Sequence, residues 1–278
     1  MLFDCGEGTQ RQMMRYGTGF GVEAIFVTHL HADHILGITG LLRTLGLQGR
    51  EEALELYGPP GSRATLDVLV RLGSERIPFQ VPIRELAPGD VVTRAGYRVA
   101  AFAVDHGVRA VGYALIEDDR LGRFDVERAR ELGIPEGPLF GRLHRGEPVE
   151  VDGRVIHATG VVGPRRPGRR VVYTGDTRPC ADTREIARAA DLLVHDCTFG
   201  EEEADRARET YHATAAGAAR TGREAGVRRL VLTHVSARYA DDPRTLEDEA
   251  AAEFPGARVA HDGLVLEIPF ADQDDGSA

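Results

Sequence analysis

An α/β fold is the class this sequence predicts, and two observations predict it. Short apolar runs rich in β-branched residues alternate with stretches of helical period. Several of those runs stop at a histidine or an aspartate, and the carboxyl ends of strands are where open α/β sheets carry their chemistry.

Taken in order, Met1-Leu2-Phe3 reads as the middle of a strand and runs at once into Asp4-Cys5-Gly6-Glu7-Gly8-Thr9. A domain rarely opens on a strand with no partner upstream. The chain therefore reads as a fragment or as a frame whose start is called too late. Ala24-Ile25-Phe26-Val27-Thr28 is apolar and β-branched and predicts a buried strand over 24–28. Further strands are expected at 54–57, 98–104, 111–116, 171–175, 191–195, 229–233 and 264–268. Helices are expected at 35–47, 61–72, 183–189, 212–225 and 245–254. The stretch 212–225 is alanine-rich with small residues on one face, which suits a helix packed on a sheet. Residues 118–168 interrupt the alternation. They are rich in glycine, proline and charge, with one short helical piece near 125–132, and an insertion of that length is usually functional or mobile.

Composition narrows the class. The 278 residues carry a net charge of −10, which argues against a general nucleic-acid surface. Every basic residue is arginine, as a GC-rich genome would produce. The balance is uneven, however. Gly163-Pro164-Arg165-Arg166-Pro167-Gly168-Arg169-Arg170 holds four arginines and no acid. Local charge decides, because screening confines its reach to about 10 Å. Cys5, Cys180 and Cys197 are scattered and lack CxxC spacing, which fits free thiols in a reducing cytosol. No apolar run is long enough to cross a bilayer and no leader-like segment opens the chain. A cytoplasmic location with no membrane partner is the expectation.

The densest chemistry lies at 29–34, His-Leu-His-Ala-Asp-His. A lone histidine is usually a satisfied core residue. Three at i, i+2 and i+5 with Asp33 among them are hard to explain by packing, and imidazole with carboxylate is a common zinc donor set. They fall on a strand-to-helix turn. Downstream, 99–104 leads into Asp105-His106-Gly107, 171–175 into Asp176, and 230–233 into His234. Each alone is an ordinary strand end. Together they make five histidines and two aspartates, enough for two metals that share a carboxylate.

These segments resemble the metallo-β-lactamase superfamily and, within it, the short form of ribonuclease Z, a family of tRNA 3′-end endonucleases. The resemblance is carried by FDCGEGTQRQM at 3–13, HLHADH at 29–34, DHGVRAVGYAL at 105–115 and GPLFGRLHRGE at 137–147. It continues in VVYTGDTRP at 171–179, YHATAA at 211–216 and LTHVSARY at 232–239. It implies an αβ/βα sandwich in a single domain, 1–278, whose first sheet lacks one or two N-terminal strands and so exposes an apolar edge, with an inserted flexible arm at about 118–168 and a disordered tail at about 272–278. It implies two Zn2+ per subunit. His29, His31 and His106 would hold the first, Asp33, His34 and His234 the second, and Asp176 would bridge both. Asp33 would also take the proton of the attacking water. His212, expected to open the helix at 212–225, would protonate the leaving 3′-oxygen. Relatives pair that histidine with the acid of a His-Glu-Ala-Thr loop, which here reads His195-Asp196-Cys197-Thr198, so Asp196 shortens the arm by one methylene.

The implied substrate is precursor tRNA, gripped by the arm and presented across a homodimer. The products would be a tRNA with a 3′-hydroxyl and a trailer with a 5′-phosphate. His144 sits in the arm and is a candidate for touching tRNA; His157 and His261 have no motif behind them. Two alternatives stay open at this stage. One is another hydrolase of the superfamily, a phosphodiesterase or arylsulfatase. The other is an N-terminally truncated, inactive remnant that only binds RNA.

Overall fold

A computed structural model describes residues 1–73, 76–239 and 241–270 of the chain. The tail expected at 272–278 lies outside the described residues. The chain divides into two compact units: one of Met1–Ile116 and Arg170–Pro269, the other of Glu117–Arg169, rejoined from Phe270 onward.

The first unit holds two sheets. In the first, β1 (Leu2–Phe3), β2 (Ala24–Phe26), β3 (Glu55–Gly58) and β4 (Ile83–Glu85) pair in sequence order, all parallel. The second contains β5 (Val91–Arg94), β6 (Tyr97–Ala103), β7 (Val111–Glu117), β10 (Arg170–Tyr173), β11 (Leu192–Asp196), β12 (Leu230–Thr233) and β13 (Arg258–Val259). Its order is β13-β12-β11-β10-β7-β6-β5, with β10 to β13 parallel and β10 antiparallel to β7.

The two-residue period of a strand explains the layering. Ala24 and Phe26 face one way, into a core shared with Val99, Ala101, Val111 and Tyr113 of the second sheet. Phe26 stacks on Tyr57 with ring centroids 4.6 Å apart. Ile25 and Val27 face the other way, onto Ile38, Leu41, Leu42 and Leu45 of the helix Gly37–Leu47. On the far side, Leu193, Leu230 and Leu232 meet the alanines of helix Ala215–Ala225 and Leu246 of helix Arg244–Glu253. Two sheets face each other and helices cover both outer surfaces, so each apolar face is buried.

The departures from the sequence expectations have local causes. The helix expected at 35–47 is two helices, Ala32–Ile35 and Gly37–Leu47. The Gly37 amide donates to the Cys5 carbonyl at 2.9 Å, and a Cβ at Gly37 would collide with the Gly6 carbonyl. A Cβ at Gly6 would in turn collide with the Asp33 carbonyl, so two glycines allow the loop after β1 to lie on the ligand-bearing turn. No strand forms at 264–268. The edge of β12 is taken by β13, and Val265 is 83% exposed. The helix expected from 212 begins at Ala215, where the Thr214 hydroxyl caps the Gly217 amide at 3.1 Å. His212 therefore precedes that helix rather than opening it.

The second unit leaves and re-enters at a hairpin. Ile116 of β7 is paired with Arg170 of β10, so the insertion begins and ends at neighbouring points. It has its own small core of Ala129, Ile134, Leu143, Val149 and Val161, with Phe124 and Phe140 against it. Helices Val126–Glu131 and Pro138–His144 and the antiparallel pair β8 (Val149–Val151) and β9 (Arg154–Ile156) form its frame. Asp152 and Gly153 both have positive φ, 49° and 74°, the geometry a two-residue Asp-Gly hairpin needs. His144 is committed internally, its Nε2 lying 2.9 Å from the Gly122 carbonyl. At the unit's neck Arg169 grips Glu117 through two nitrogens, at 2.6 and 2.8 Å. The guanidinium of Arg169 holds the Glu117 carboxyl below its usual range.

That pair predicts an acid-sensitive neck. A carboxyl depressed on folding contributes stability that is present above its ordinary value of 4.5 and is lost as pH falls through the folded value. Glu117→Gln is expected to lower the melting temperature at pH 7 by about 1–3 °C, since a half-exposed ion pair is worth little. The gap to wild type should close as the pH is taken downward from 4.5. A gap that persists at pH 3 would show that packing, not charge, is responsible.

Candidate metal centre

Seven side chains converge from four strand ends. His29, His31, Asp33 and His34 come from the turn after β2, and His106 from the loop after β6. Asp176 follows β10 and His234 follows β12. The donor atoms of His29, His31, His106 and Asp176 all lie within 4.8 Å of one another, as do those of Asp33, His34 and His234. Asp176 joins the two groups. Its Oδ2 is 3.6 Å from His29 Nε2 and 3.3 Å from His234 Nε2, and its Oδ1 is 3.4 Å from His34 Nε2. Asp33 Oδ2 lies 3.3 Å from His234 Nε2 and 3.5 Å from His34 Nε2.

Burial makes this arrangement costly without a cation. Asp176 is 2% exposed and His29 is fully buried. His29 Nε2, His34 Nε2 and Asp176 Oδ1 are buried without a hydrogen-bond partner. Each such atom costs about 1–3 kcal/mol. Three of them, all pointing into one space, fit a cation held by nitrogen and carboxylate donors. The titration behaviour agrees. Burial, helped by the neighbouring His34, pushes His29 down to about 3, so it is neutral and free to donate a lone pair. Burial also presses on His34, but the carboxylates of Asp176 and Asp4 outweigh it and raise the ring to about 10. His106 is lowered by burial, which also favours its neutral, ligating form.

The supporting groups were not singled out in the sequence. Asp4, just beyond β1, accepts from His34 Nδ1 at 2.8 Å, Tyr173 Oη at 2.9 Å, and the Thr28 amide at 2.7 Å. The Thr28 hydroxyl links the same carboxylate to His29 Nδ1, 3.0 Å away. One buried acid thereby sets the ring nitrogens of a ligand in each group. The Tyr211 carbonyl lies 3.1 Å from His106 Nδ1 and fixes that ring in the same manner. Asp4, Tyr211 and His234 all have positive φ, 58°, 62° and 60°. Non-glycine residues in that region are strained, and three of them at one centre mark a framework that holds them there. A strand-end aspartate at position 4, followed by Cys-Gly-Glu-Gly, was the available signal.

Asp196 and His212 meet despite the shorter side chain. Asp196 Oδ2 is 2.8 Å from His212 Nδ1. Burial lowers the His212 ring, but the hydrogen bond to Asp196 outweighs it and the pKa is raised. Its ring stacks on His234 at 5.2 Å and 10° and meets His106 edge-on at 5.2 Å. Asp196 lies close enough to Asp176, His212 and His234 to join a ligand set. Its oxygens are already taken by His212, Thr198 and the Thr177 and Thr198 amides, which leaves no lone pair for a metal.

The paired sandwich and the His/Asp donor groups on one rim define a metal-dependent hydrolase scaffold, and the family comparison agrees. Residues 1–122 and 143–235 match the model of the Beta-lactamase superfamily domain. The Ribonuclease Z of Haloferax volcanii is 59% identical over 281 residues, covering 100% of this chain and 89% of that protein. That of Myxococcus xanthus is 57% identical, covering 98% and 89%. The chain belongs to the ribonuclease Z family within the β-lactamase superfamily. The crystal structure of the short form of human tRNase Z superposes with a TM-score of 0.66 at 26% identity, over 96% of this chain and 87% of that one. The fold alone is shared with the Bacillus subtilis protein YhfI, at 20% identity and the same TM-score.

The Asp4 hub can be tested by metal binding. Asp4→Asn keeps the shape but loses the acceptor that orients His34, and zinc affinity is expected to fall about 10–100-fold. Competition of the metal-stripped protein against a coloured chelator measures this directly. Unchanged affinity would mean that the ring is held by packing alone.

Proposed function

We propose that this chain is a two-zinc endoribonuclease that removes the 3′ trailer from precursor tRNA, leaving a 3′-hydroxyl on the tRNA and a 5′-phosphate on the trailer. The observation that carries the reading is the His212–Asp196 pair set against the joined ligand groups. In this reading the pair is a proton donor beside a site suited to cations. The family membership supplies the substrate class.

In this reading His29, His31 and His106 hold one Zn2+, Asp33, His34 and His234 the other, and Asp176 bridges them. Bound there, the ions would offset charge on the phosphoryl group and make water a better nucleophile. Asp33, whose side chain is 65% exposed, is the carboxylate positioned to accept the proton of the attacking water. Burial raises its carboxyl, but the neighbouring His34 outweighs this and holds it below the usual range, so it is ionised and able to accept a proton. As the phosphorus–oxygen bond breaks, His212 gives its proton to the leaving 3′-oxygen. Its Nδ1 is committed to Asp196, so Nε2 is the atom that donates. Asp196 keeps the ring oriented and supports its charged form.

The second unit, about 118–168, is the proposed tRNA-binding arm. Its own core and its arginine content suit a separate grip on RNA. Action across a homodimer and a cytoplasmic location belong to the same proposal. Among the described residues, no helix is long and apolar enough to cross a membrane.

Leaving-group dependence tests the acid. His212→Ala should slow cleavage of precursor tRNA about 10²–10⁴-fold, as loss of a general acid does. It should spare bis(p-nitrophenyl) phosphate, whose leaving group needs no proton. Asp33→Ala should slow both. Equal loss on both substrates in His212→Ala would remove His212 from the role of acid. Cleavage of the chromogenic diester with none of precursor tRNA by the wild type would favour a general phosphodiesterase.

The hairpin junction allows a second test. Because Ile116 and Arg170 are paired, residues 117–169 can be replaced by a short turn. The shortened protein is expected to keep diesterase activity and lose tRNA cleavage through a raised KM. A parallel loss of both activities would argue against the arm.

A further inference from the structure

The loop after β11 holds a hydroxyl for which the mechanism above has no use. Thr198 is 7% exposed, and its Oγ1 lies 2.7 Å from Asp196 Oδ1, 2.8 Å from His234 Nδ1 and 3.1 Å from His212 Nδ1. We propose that Thr198 is a positioning residue whose hydroxyl ties the orientation of the acid His212 to that of the metal ligand His234. The proposal rests on the endonuclease reading for the role of His212, and on geometry alone for that of His234.

Hydrogen-bond bookkeeping assigns each proton. A buried ionised carboxylate can only accept, so the Thr198 O–H donates to Asp196 Oδ1. The Thr198 oxygen is then left as an acceptor, and His234 Nδ1 must carry the hydrogen that it receives. That fixes the His234 tautomer and leaves Nε2 bare, 3.3 Å from both Asp33 Oδ2 and Asp176 Oδ2. The other oxygen of Asp196 takes the Nδ1 hydrogen of His212 at 2.8 Å. One carboxylate and one hydroxyl thus set two rings that stack 5.2 Å apart at 10°.

The backbone makes the hydroxyl more than a spectator. His234 has φ +60°, so its ring direction is not what a continuing strand would give. The Cys197 amide donates to the Thr233 carbonyl at 2.8 Å, and the Ser236 amide donates to the Thr198 carbonyl at 3.2 Å. The loops of residues 197–198 and 233–236 are therefore tied on either side of the Thr198–His234 contact. The β-branched side chain of threonine restricts χ1, which keeps the oxygen between its three partners.

Thr198→Val keeps the shape and removes the oxygen; Thr198→Ser keeps the oxygen. In Thr198→Val, zinc affinity at the weaker site is expected to fall about 10–100-fold, and kcat on precursor tRNA by a similar factor with little change in KM. Thr198→Ser should restore most of both. Two-bond proton–nitrogen spectra of the zinc-loaded wild type should show His234 protonated at Nδ1. That measurement stands even if Thr198→Val does not fold. A wild-type His234 protonated at Nε2 would overturn the proposal, as would a folded Thr198→Val with wild-type zinc affinity and kcat. A wild type that binds zinc but leaves precursor tRNA intact would instead refute the endonuclease reading, and the zinc and ring measurements would still decide the part played by Thr198 at His234.

Discussion

A carboxylate that is 2% exposed among three imidazoles sets the terms for the rest of this molecule. Asp176 cannot stay ionised there without positive charge beside it. That charge comes from the imidazoles around it or from a cation held among them. Either solution needs rings that point inward with a chosen nitrogen. Asp4, Thr28 and the Tyr211 carbonyl impose that choice from behind. The strained backbone at Asp4, Tyr211 and His234 follows from the same demand, because each turns a group toward the centre that an extended chain would point elsewhere.

Much of this centre was legible in the sequence. Ligands that follow apolar strands are visible as polar residues at the ends of hydrophobic runs, and the structure brings all seven together. The Asp196–His212 contact was legible only as a pairing with a shortened arm; the structure closes it at 2.8 Å. The groups behind the ligands were not legible. Asp4 is 30 residues from the histidine it orients, and a backbone carbonyl such as that of Tyr211 has no sequence signature. The fold was misread where tertiary contacts override local pattern. The helix break before Gly37 comes from a carbonyl more than 30 residues earlier, and the strand expected at 264–268 lost its place beside β12 to Arg258–Val259. The hairpin of β8 and β9 was hidden in a segment whose glycine and charge content masked its Asp-Gly turn.

The two units differ in physical character. The first is two sheets with every apolar face covered, a rigid support for groups that must be placed to fractions of an ångström. The second hangs from neighbouring strand ends, with a small core and many surface arginines.

The span of the centre along the chain has a consequence for the birth of the protein. His29 and His234 lie 205 residues apart, and between them they bracket all seven side chains of the centre. Bringing such distant segments together is a late event in folding, since chain closure must precede any reward from the contact. A chain still emerging from the ribosome therefore holds the His-Leu-His-Ala-Asp-His turn long before it has the means to use it. The seven groups can meet only once β12 has been made, so the turn by itself is chemically incomplete.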